Sequence, residues 1–368
     1  MKFLHTSDWH LGIALHGLSM QEEQEHFLDQ LCRIAEEEAV DAVLIAGDIY
    51  DSSVASHAAI RLYHRTMDEL CLRQKRPVFV IAGNHDGAVR LAAMQALVRP
   101  SGLYVSGTLE NVLTPVLLGD AAVYQIPYFQ LSNVRAVFPA LAVEHIEQAM
   151  EAICDKIREH MDRNRINIVM AHTFAGGAVL SESDRSALVG GVSVVASDVF
   201  RGFDYVALGH LHRPQNVGDR VRYSGSPIAY SFGEAGQQKS VTLFDSETGE
   251  ISVRKIQPLH AMRVIKGSYA EVMNDGMCSS DYMKIAFTDR SAEREAMEKL
   301  KERYPNLLLV TGKAPQAGRE TSLSPEAIEK LSPEKMLDCF LADIFGETAD
   351  MKQKKQWLNA LQKAEEGL

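Results

Sequence analysis

Residues 41–51 read DAVLIAGDIYD. Positions 42–46 are all apolar, then comes a glycine, then an aspartate. An apolar run of strand length with no polar alternation is what a strand buried on both faces requires, and such strands belong to sheets covered by helices. The pattern recurs in PVFVIAGNHD (77–86), INIVMAHTF (166–174) and YVALGHLH (205–212), each carrying Asn, His or Asp at or near its end. Between these runs, residues 20–39 place Phe27, Leu28, Leu31, Ile34 and Ala35 at helical spacing among glutamates. Residues 56–73 do the same with Ile60, Tyr63, Met67 and Leu70. Strands and amphipathic helices in alternation predict an α/β layered architecture over the first 260 or so residues.

The ends of these strands carry the chemistry. HTSDWHLG (5–12) follows a first short strand and supplies Asp8 and His10. If that segment is extended, Asp8 and His10 face one way and Trp9 points to the other side as a packing residue. Asp8 alone also suits a turn or a helix cap. The other ends bring Asp48 with Asp51, then Asn84, His85 and Asp86, then His172, then His210 and His212. In an open α/β sheet the carboxyl ends of the strands form the ligand crevice, so separate strand ends deliver their polar residues to one place. A single histidine at a strand end is ordinarily structural; five such ends rich in Asp, His and Asn are hard to produce by packing alone. Gly47, Gly83 and Gly209 would let the turns approach the metals. Asp51 and Asp86 also read as turn formers bonding local amides.

Imidazole, carboxylate and amide oxygen without thiolate suit Mn²⁺, Fe²⁺ or Zn²⁺ better than a structural zinc site. Seven ligands are too many for one ion and fit two, roughly 3.5 to 4 Å apart, sharing a bridging carboxylate. Such a pair polarises a phosphoryl oxygen and lowers the pKa of a water, which points to hydrolysis of a phosphate ester.

Composition bounds this picture. The 368 residues are 46% hydrophobic and 24% charged, enough for two or three globular domains. The opening MKFLHTSD lacks the apolar region of a secretory signal, and no stretch approaches the ~18 apolar residues of a membrane span. The expectation is a cytoplasmic protein with no membrane association. Cys32, Cys71, Cys154, Cys278 and Cys339 are odd in number and scattered, which argues against a disulfide framework or a zinc ribbon. A net charge of −11 does not advertise nucleic-acid binding, yet metal ions can hold phosphate locally and a basic partner can supply the rest. The basic clusters CLRQKRP (71–77) and RNRIN (163–167) read as solvated helix ends.

Beyond SVTLFDSETGEISVRKIQPL (240–259), two strands around a turn, the texture changes. Residues 261–315 read as a small α+β unit: strands at RVIKG, DYMKIAFTD and LLLVTGK, and a helix at AEREAMEKLKERYP. Residues 316–332 are rich in Pro, Gly, Ser and Thr, as a linker is. Residues 333–368 give two short amphipathic helices, one with Met336, Leu337, Phe340, Leu341 and Ile344, the other with Trp357, Leu358 and Leu361. They either pack back on the body or bind a partner.

The ordered motifs DWH, GDIYD, GNHD, AHT and GHLH resemble those of the calcineurin-like metallophosphoesterase family. The resemblance implies a four-layer α/β/β/α sandwich with a small α+β capping domain and C-terminal helices. It implies that Asp8, His10, Asp48 and His212 hold one ion, and that Asp48, Asn84, His172 and His210 hold the other. His85 would stabilise the transition state or protonate the leaving oxygen, with Asp51 orienting it by accepting its ring N–H. Within that family HTSDWHLG, LIAGDIYD, VIAGNHD, ALGHLHRPQ and YSGSPIAYSFGE (223–234) look like the bacterial SbcD and Mre-type repair nuclease subunits. Some of those relatives carry His where Asp51 stands, and His57 does not occupy that position.

That resemblance implies residues 1–260 as a nuclease domain, 261–315 as a capping domain and 333–368 as a partner-binding segment. It implies Mn²⁺-dependent cleavage of DNA phosphodiesters, 3′-to-5′ exonuclease on duplex ends and endonuclease on single strands and hairpins, in DNA repair, recombination and replication. It further implies a homodimer, with early core helices as the contact, joined to an SbcC-type ABC ATPase with a coiled coil. A broad-specificity metallophosphodiesterase or nucleotidase of the same fold is the alternative. An interaction protein with vestigial metals is a third reading, against which the intact ligand set speaks.

Overall fold

The computed structural model describes residues 1–180, 194–291, 294–312, 332–345, 350–351 and 353–358. The chain divides into two compact units, one of Met1–Ile265, Met277–Lys284 and Lys301–Leu309, the other of Lys266–Gly276, Ile285–Leu300 and Val310–Leu368.

Four layers build the first unit. The apolar runs form β1 (Lys2–Thr6), β2 (Ala42–Ile45), β3 (Val78–Ile81), β4 (Ile166–His172) and β5 (Tyr205–Gly209). One six-stranded sheet runs Ile251–Lys255, Ser240–Asp245, β1, β2, β3, Leu103–Ser106; the other runs Gln215–Asn216, Val221–Tyr223, β5, β4, Ala121–Ile126, Val116–Leu118. β1, β2 and β3 are parallel neighbours, with Thr6 opposite Ile45 and Ile45 opposite Val80. β4 and β5 are parallel, with His172 opposite Gly209. These registers bring three carboxyl ends level on one sheet and two on the other, so the five loops that follow start from common edges.

Strand alternation then sorts the side chains into layers. Phe3, Leu44 and Phe79 face Met170, Tyr205 and Ala207 in an apolar seam between the sheets. The Tyr205 and Phe244 rings stack there with centroids 4.5 Å apart. On the outer face of the first sheet lie α1 (Gln21–Glu37) and α2 (His57–Met67), α1 burying the predicted Phe27, Leu28, Leu31, Ile34 and Ala35. Ser56 caps α2 by accepting the Ala59 N–H at 3.2 Å, a contact worth about 1 kcal/mol. Its buried row is Ala59, Leu62, Tyr63, Thr66 and Met67, so Leu62 and not Ile60 faces the core. A π-helical turn, Asp68–Arg73, follows directly and brings Leu70 and Cys71 inward, which a uniform 3.6-residue period could not show. The helix Ile146–His160 covers the second sheet with Ala149, Met150, Ile153, Cys154 and Ile157.

His5 ties the sheets together from inside. Fully buried, it accepts from the Tyr205 hydroxyl at Nδ1 (2.9 Å) and donates from Nε2 to the Leu208 carbonyl (3.1 Å). Burial first, then the Arg222 charge, hold its pKa down at about 3 against the pull of the Leu208 carbonyl. The folded protein therefore refuses a proton that the unfolded chain takes up below about pH 6.5. Stability is expected to fall by up to about 1.4 kcal/mol per pH unit from this residue as pH drops from roughly 6.5 toward 4. Urea unfolding of metal-free protein across that range measures the slope, and His5→Gln should lose that component; an unchanged slope in the variant would contradict the assignment.

The remaining strands include Met262–Gly267, Tyr282–Phe287 and Leu307–Thr311, a third sheet in which Tyr282–Phe287 is central. In the second unit, Ser268 caps the helix Tyr269–Asn274 with Glu271 returning to the cap, and Arg290 lies 4.2 Å over the Tyr269 ring. The helix Pro333–Phe345 is clasped by the segment after it: Lys354 Nζ lies 2.7 Å from Asp338, and Trp357 Nε1 donates to the Pro333 carbonyl at 3.1 Å. The expected linker 316–332 lies outside the described residues apart from Ser332. Leu361 and the side chains of Phe340 and Ile344 lie outside them too. All five cysteines are free, with Cys71 and Cys154 buried and Cys278 exposed. Among the described residues no helix is long and apolar enough to cross a membrane.

Candidate metal centre

The loop after β1 is not extended. Asp8 and His10 both adopt left-handed backbone, φ 55° and 44°, so the alternation argument does not place them. A different device does: Asp8 N–H donates to the Gly47 carbonyl (3.0 Å), His10 N–H to Asp48 O (3.0 Å) and Leu11 N–H to Ile49 O (2.9 Å). The two loops thus run side by side, and Asp8 and His10 share a site through tertiary pairing. Asp48 (φ 50°) and His210 (φ 106°) are also left-handed. Non-glycine residues in this region cost about 1–3 kcal/mol each and persist where the surroundings over-determine them. Trp9 packs as expected, fully buried, its ring edge-on to Phe27 and its Nε1 donating to Thr6 Oγ1 at 3.0 Å.

All the predicted residues meet at one edge of the sandwich. His172 donates from Nδ1 to the Ala46 carbonyl (2.8 Å), which leaves Nε2 facing Asp48 Oδ2 at 3.4 Å and Asn84 Oδ1 at 3.0 Å. His210 Nδ1 lies 3.0 Å from the same Asn84 oxygen. On the other side His10 Nε2 is 3.2 Å from His212 Nε2 and 3.7 Å from Asp48 Oδ2. Asp8 has ligand atoms within 4.8 Å of both the His10–His212 pair and the Asp48–His172 pair, and accepts the His210 N–H at 2.9 Å. Asp48 therefore lies between the two groups.

This donor set fits two cations. His, Asp and Asn atoms without a thiolate converge in both groups, a set of ligands suited to divalent cations. Burial and the Asp48 charge set the protonation of these groups. Burial would lower His172, but the Asp48 carboxylate beside it prevails and pushes it up to about 9. Burial lifts Asp8 to about 6, the Asp48 charge adding to it. Burial holds His10 down at about 3, so its ring is neutral and free to ligate, and its buried Nδ1 has no hydrogen-bond partner. The approach is as close as backbone allows: a Cβ on Gly83 would sit 2.1 Å from Asp48 Oδ1, and one on Gly47 (φ 93°) 2.3 Å from His172 Nδ1.

One expected role changes. His85, exposed beside the cluster, bonds Asp51 through Nδ1, but the acceptor at 2.9 Å is the Asp51 main-chain carbonyl. The Asp51 carboxylate instead lies 3.8 Å from His10 Nδ1. The correction follows from loop geometry, since the main chain at Asp51 is what turns toward β3. Asp86, buried, bonds the local Gly83 N–H (2.8 Å) as its turn reading expects, and accepts as well from Ile49 N (3.1 Å) and Tyr50 N (2.9 Å), pinning the loop after β2 to the loop after β3.

Residues that no motif spacing identified complete the site. Gln24 of α1 donates to the His10 carbonyl at 2.8 Å and accepts the Gly12 N–H at 3.0 Å, holding the HTSDWHLG loop. Tyr230 donates to the Trp9 carbonyl and sets its ring edge-on to His10 and His212. Glu234 accepts from His212 Nδ1 at 3.3 Å and pairs with Lys239. Burial alone would raise Glu234, but the His212 hydrogen bond and the Lys239 charge outweigh it and bring it down to about 2. Both Tyr230 and Glu234 fall in YSGSPIAYSFGE, a stretch that stood out only through its resemblance to the repair nuclease subunits.

Comparison with known proteins extends the picture. The family model of calcineurin-like phosphoesterases matches residues 1–214, and that of the type 5 capsule protein repressor C-terminal domain matches residues 258–344. The SbcD chain of the SbcCD nuclease of Staphylococcus epidermidis is 34% identical over 318 residues, covering 84% of this chain and 85% of its own length. Its counterpart in the SbcCD nuclease of Staphylococcus saprophyticus is 33% identical over 364 residues, 97% of this chain and 96% of its own. A solved structure, the TT1561 protein of Thermus thermophilus, covers 70% of this chain and 99% of its own at 13% identity and a TM-score of 0.42.

Proposed function

Because the chain belongs to the calcineurin-like metallophosphoesterases, and within them to the SbcD chains of SbcCD nucleases, we propose that it is a two-metal DNA phosphodiester hydrolase, the nuclease subunit of an SbcCD-type repair complex. One observation carries the chemistry: Asp48 stands between two groups of convergent ligand atoms, His10 with His212 and His172 with Asn84, and none of the seven predicted ligands is displaced from the edge. Asp8, His10, Asp48 and His212 would hold one ion and Asp48, Asn84, His172 and His210 the other, with Mn²⁺ the metal. Two divalent ions there supply positive charge against the phosphoryl oxygens and lower the pKa of a water.

The chain's own residues do the rest. His85 is exposed at the rim with Nδ1 committed to the Asp51 carbonyl, so Nε2 is the nitrogen that faces a bound substrate. As attack of a water oxygen on phosphorus breaks the bond to the leaving oxygen, His85, carrying a proton on each ring nitrogen, gives its Nε2 proton to that oxygen, and the proton shed by the attacking water restores the ring. Asp86 and Gln24 keep the ligand loops in register while charge moves.

The assembly follows the same reading: cytoplasmic, a homodimer, joined to an SbcC-type ATPase with a coiled coil, and acting on DNA. Val89, Met94 and Leu97 are each at least 65% exposed along one short stretch, which supports that stretch as the dimer contact. The tail helices leave Met336 (38%), Met351 (88%) and Leu358 (37%) uncovered, apolar surface suited to gripping a coiled coil. The four-part division at 260, 315 and 332 belongs to this proposal. Deleting residues 333–368 is expected to abolish co-purification with the ATPase while leaving Mn²⁺-dependent hydrolysis of bis-p-nitrophenyl phosphate within about twofold; retained co-purification would refute the tail's role.

The function itself is tested on linear duplex and hairpin DNA with Mn²⁺, with and without the ATPase and ATP. Degradation of both substrates is expected. A protein that hydrolyses bis-p-nitrophenyl phosphate but leaves both DNAs intact, even with the partner present, is instead a broad-specificity phosphodiesterase.

A further inference from the structure

Behind His212 lies a charged pair that ligates nothing. Glu234 is fully buried and Lys239 is 6% exposed. Glu234 Oε1 accepts from His212 Nδ1 at 3.3 Å and from Ser231 Oγ at 3.0 Å; Oε2 accepts from Lys239 Nζ and from Ser226 Oγ at 3.3 Å. Lys239 Nζ donates in addition to the His212 main-chain carbonyl and to Ser226 Oγ, both at 2.9 Å. The pair therefore holds His212 at two points, the ring through Glu234 and the backbone through Lys239.

A buried ion pair is weak support for stability, since apolar residues of similar volume often serve as well. Its value here is what it does to the ring. With Nδ1–H committed to Glu234, the lone pair sits on Nε2, and Nε2 is the atom that meets His10 Nε2 at 3.2 Å. His172 has its tautomer fixed by the Ala46 carbonyl, a neutral acceptor. Of these two rings only His212 has a carboxylate behind it, which raises its basicity as a ligand; partners of this kind typically change metal affinity by about 10–100-fold.

We propose that Glu234 and Lys239 are positioning residues for His212, and that they set the affinity of the metal position formed by Asp8, His10 and His212 without setting that of the position formed by Asn84, His172 and His210. This rests on the two-metal reading above. One further feature agrees with a dedicated brace: Ser231 adds a hydroxyl donor to Glu234 at 3.0 Å, which restrains its carboxylate beside the ring.

The test is Mn²⁺ binding by calorimetry and electron paramagnetic resonance on the full chain, comparing the parent with a Glu234→Leu/Lys239→Met double variant. That variant removes both charges together and so leaves neither one buried alone. The parent is expected to bind two ions, and the variant to keep one at parent affinity and to bind the other about 10–100-fold more weakly. Glu234→Gln, which keeps the volume and an acceptor but not the charge, should fall between, and serves if the double variant does not fold. In a His212→Ala background Glu234→Gln should add no further loss, because the effect of Glu234 passes through that ring. Parent affinity at both positions in the variants, equal weakening of both positions, or a full further loss in the His212→Ala background would each overturn the proposal. A parent that takes up fewer than two ions would instead fell the two-metal reading.

Discussion

Asp48→Asn is expected to cost both metal positions together and to lower kcat/KM roughly 10³-fold or more, on the scale of the several kcal/mol that bound metals contribute. Its carboxylate is buried, with Oδ2 3.7 Å from His10 Nε2 and 3.4 Å from His172 Nε2, and Oδ1 accepting the His85 N–H at 2.9 Å. Burial works to keep the group protonated, yet the charge and hydrogen bond of His172, with His10 and His85 behind, hold it well below the usual carboxylate range. An asparagine keeps the volume but takes a negative charge from the point where the two ligand groups meet. Calorimetric titration with Mn²⁺ gives the stoichiometry, and circular dichroism checks that the fold is intact. Retention of one ion at parent affinity would show that Asp48 serves a single position and is no bridge.

His85→Ala should behave differently. Its side chain lies at the rim, with Nδ1 held by the Asp51 carbonyl and the ring edge-on to His10 at 4.8 Å between centroids. Both ions should still bind, while kcat on DNA falls about 10²–10⁴-fold, the usual worth of a positioned proton donor. Leaving-group chemistry supplies the control. A deoxyribose hydroxyl leaves as a strongly basic alkoxide and needs a proton, whereas p-nitrophenolate does not. Loss on bis-p-nitrophenyl phosphate should therefore be much smaller. An equal loss on both substrates would remove the proton-donor role and leave only charge stabilisation for His85.

These two variants separate positions that the sequence treats alike. Asp48, Asp51, His85 and Asp86 all sit within a few residues of strand ends and all look like candidates for a site. Folding assigns them different work: Asp48 lies between ligand groups, Asp86 ties two loops through three backbone N–H groups, and Asp51 presents its carbonyl to His85 and its carboxylate toward His10. No local spacing distinguishes them, because each role depends on a partner from a distant stretch of the chain.

The sequence by itself determined the layers and the kind of site. Continuous apolar runs of strand length fit strands covered on both faces, helical periodicity marks α1 and α2, and a set of His, Asp and Asn at strand ends has a chemistry independent of its exact geometry. Leu103–Ser106 and Val116–Leu118 escaped it as short edge strands with little periodicity. The inner strand Ala121–Ile126 and the helix Ile146–His160 escaped it too, although Ala149, Met150, Ile153, Cys154 and Ile157 recur there at helical spacing. Only the tertiary structure decided which nitrogen of each histidine faces inward, that Asp8 and His10 meet by left-handed turns paired to the neighbouring loop, and that Glu234 and Lys239 stand behind His212. The reason is distance along the chain. His10 and His212 are 202 residues apart, and so are Asp8 and His210, and what joins them is the register of two sheets packed face to face. That register is a property of the folded core, fixed by all its side chains together, and no segment carries it alone.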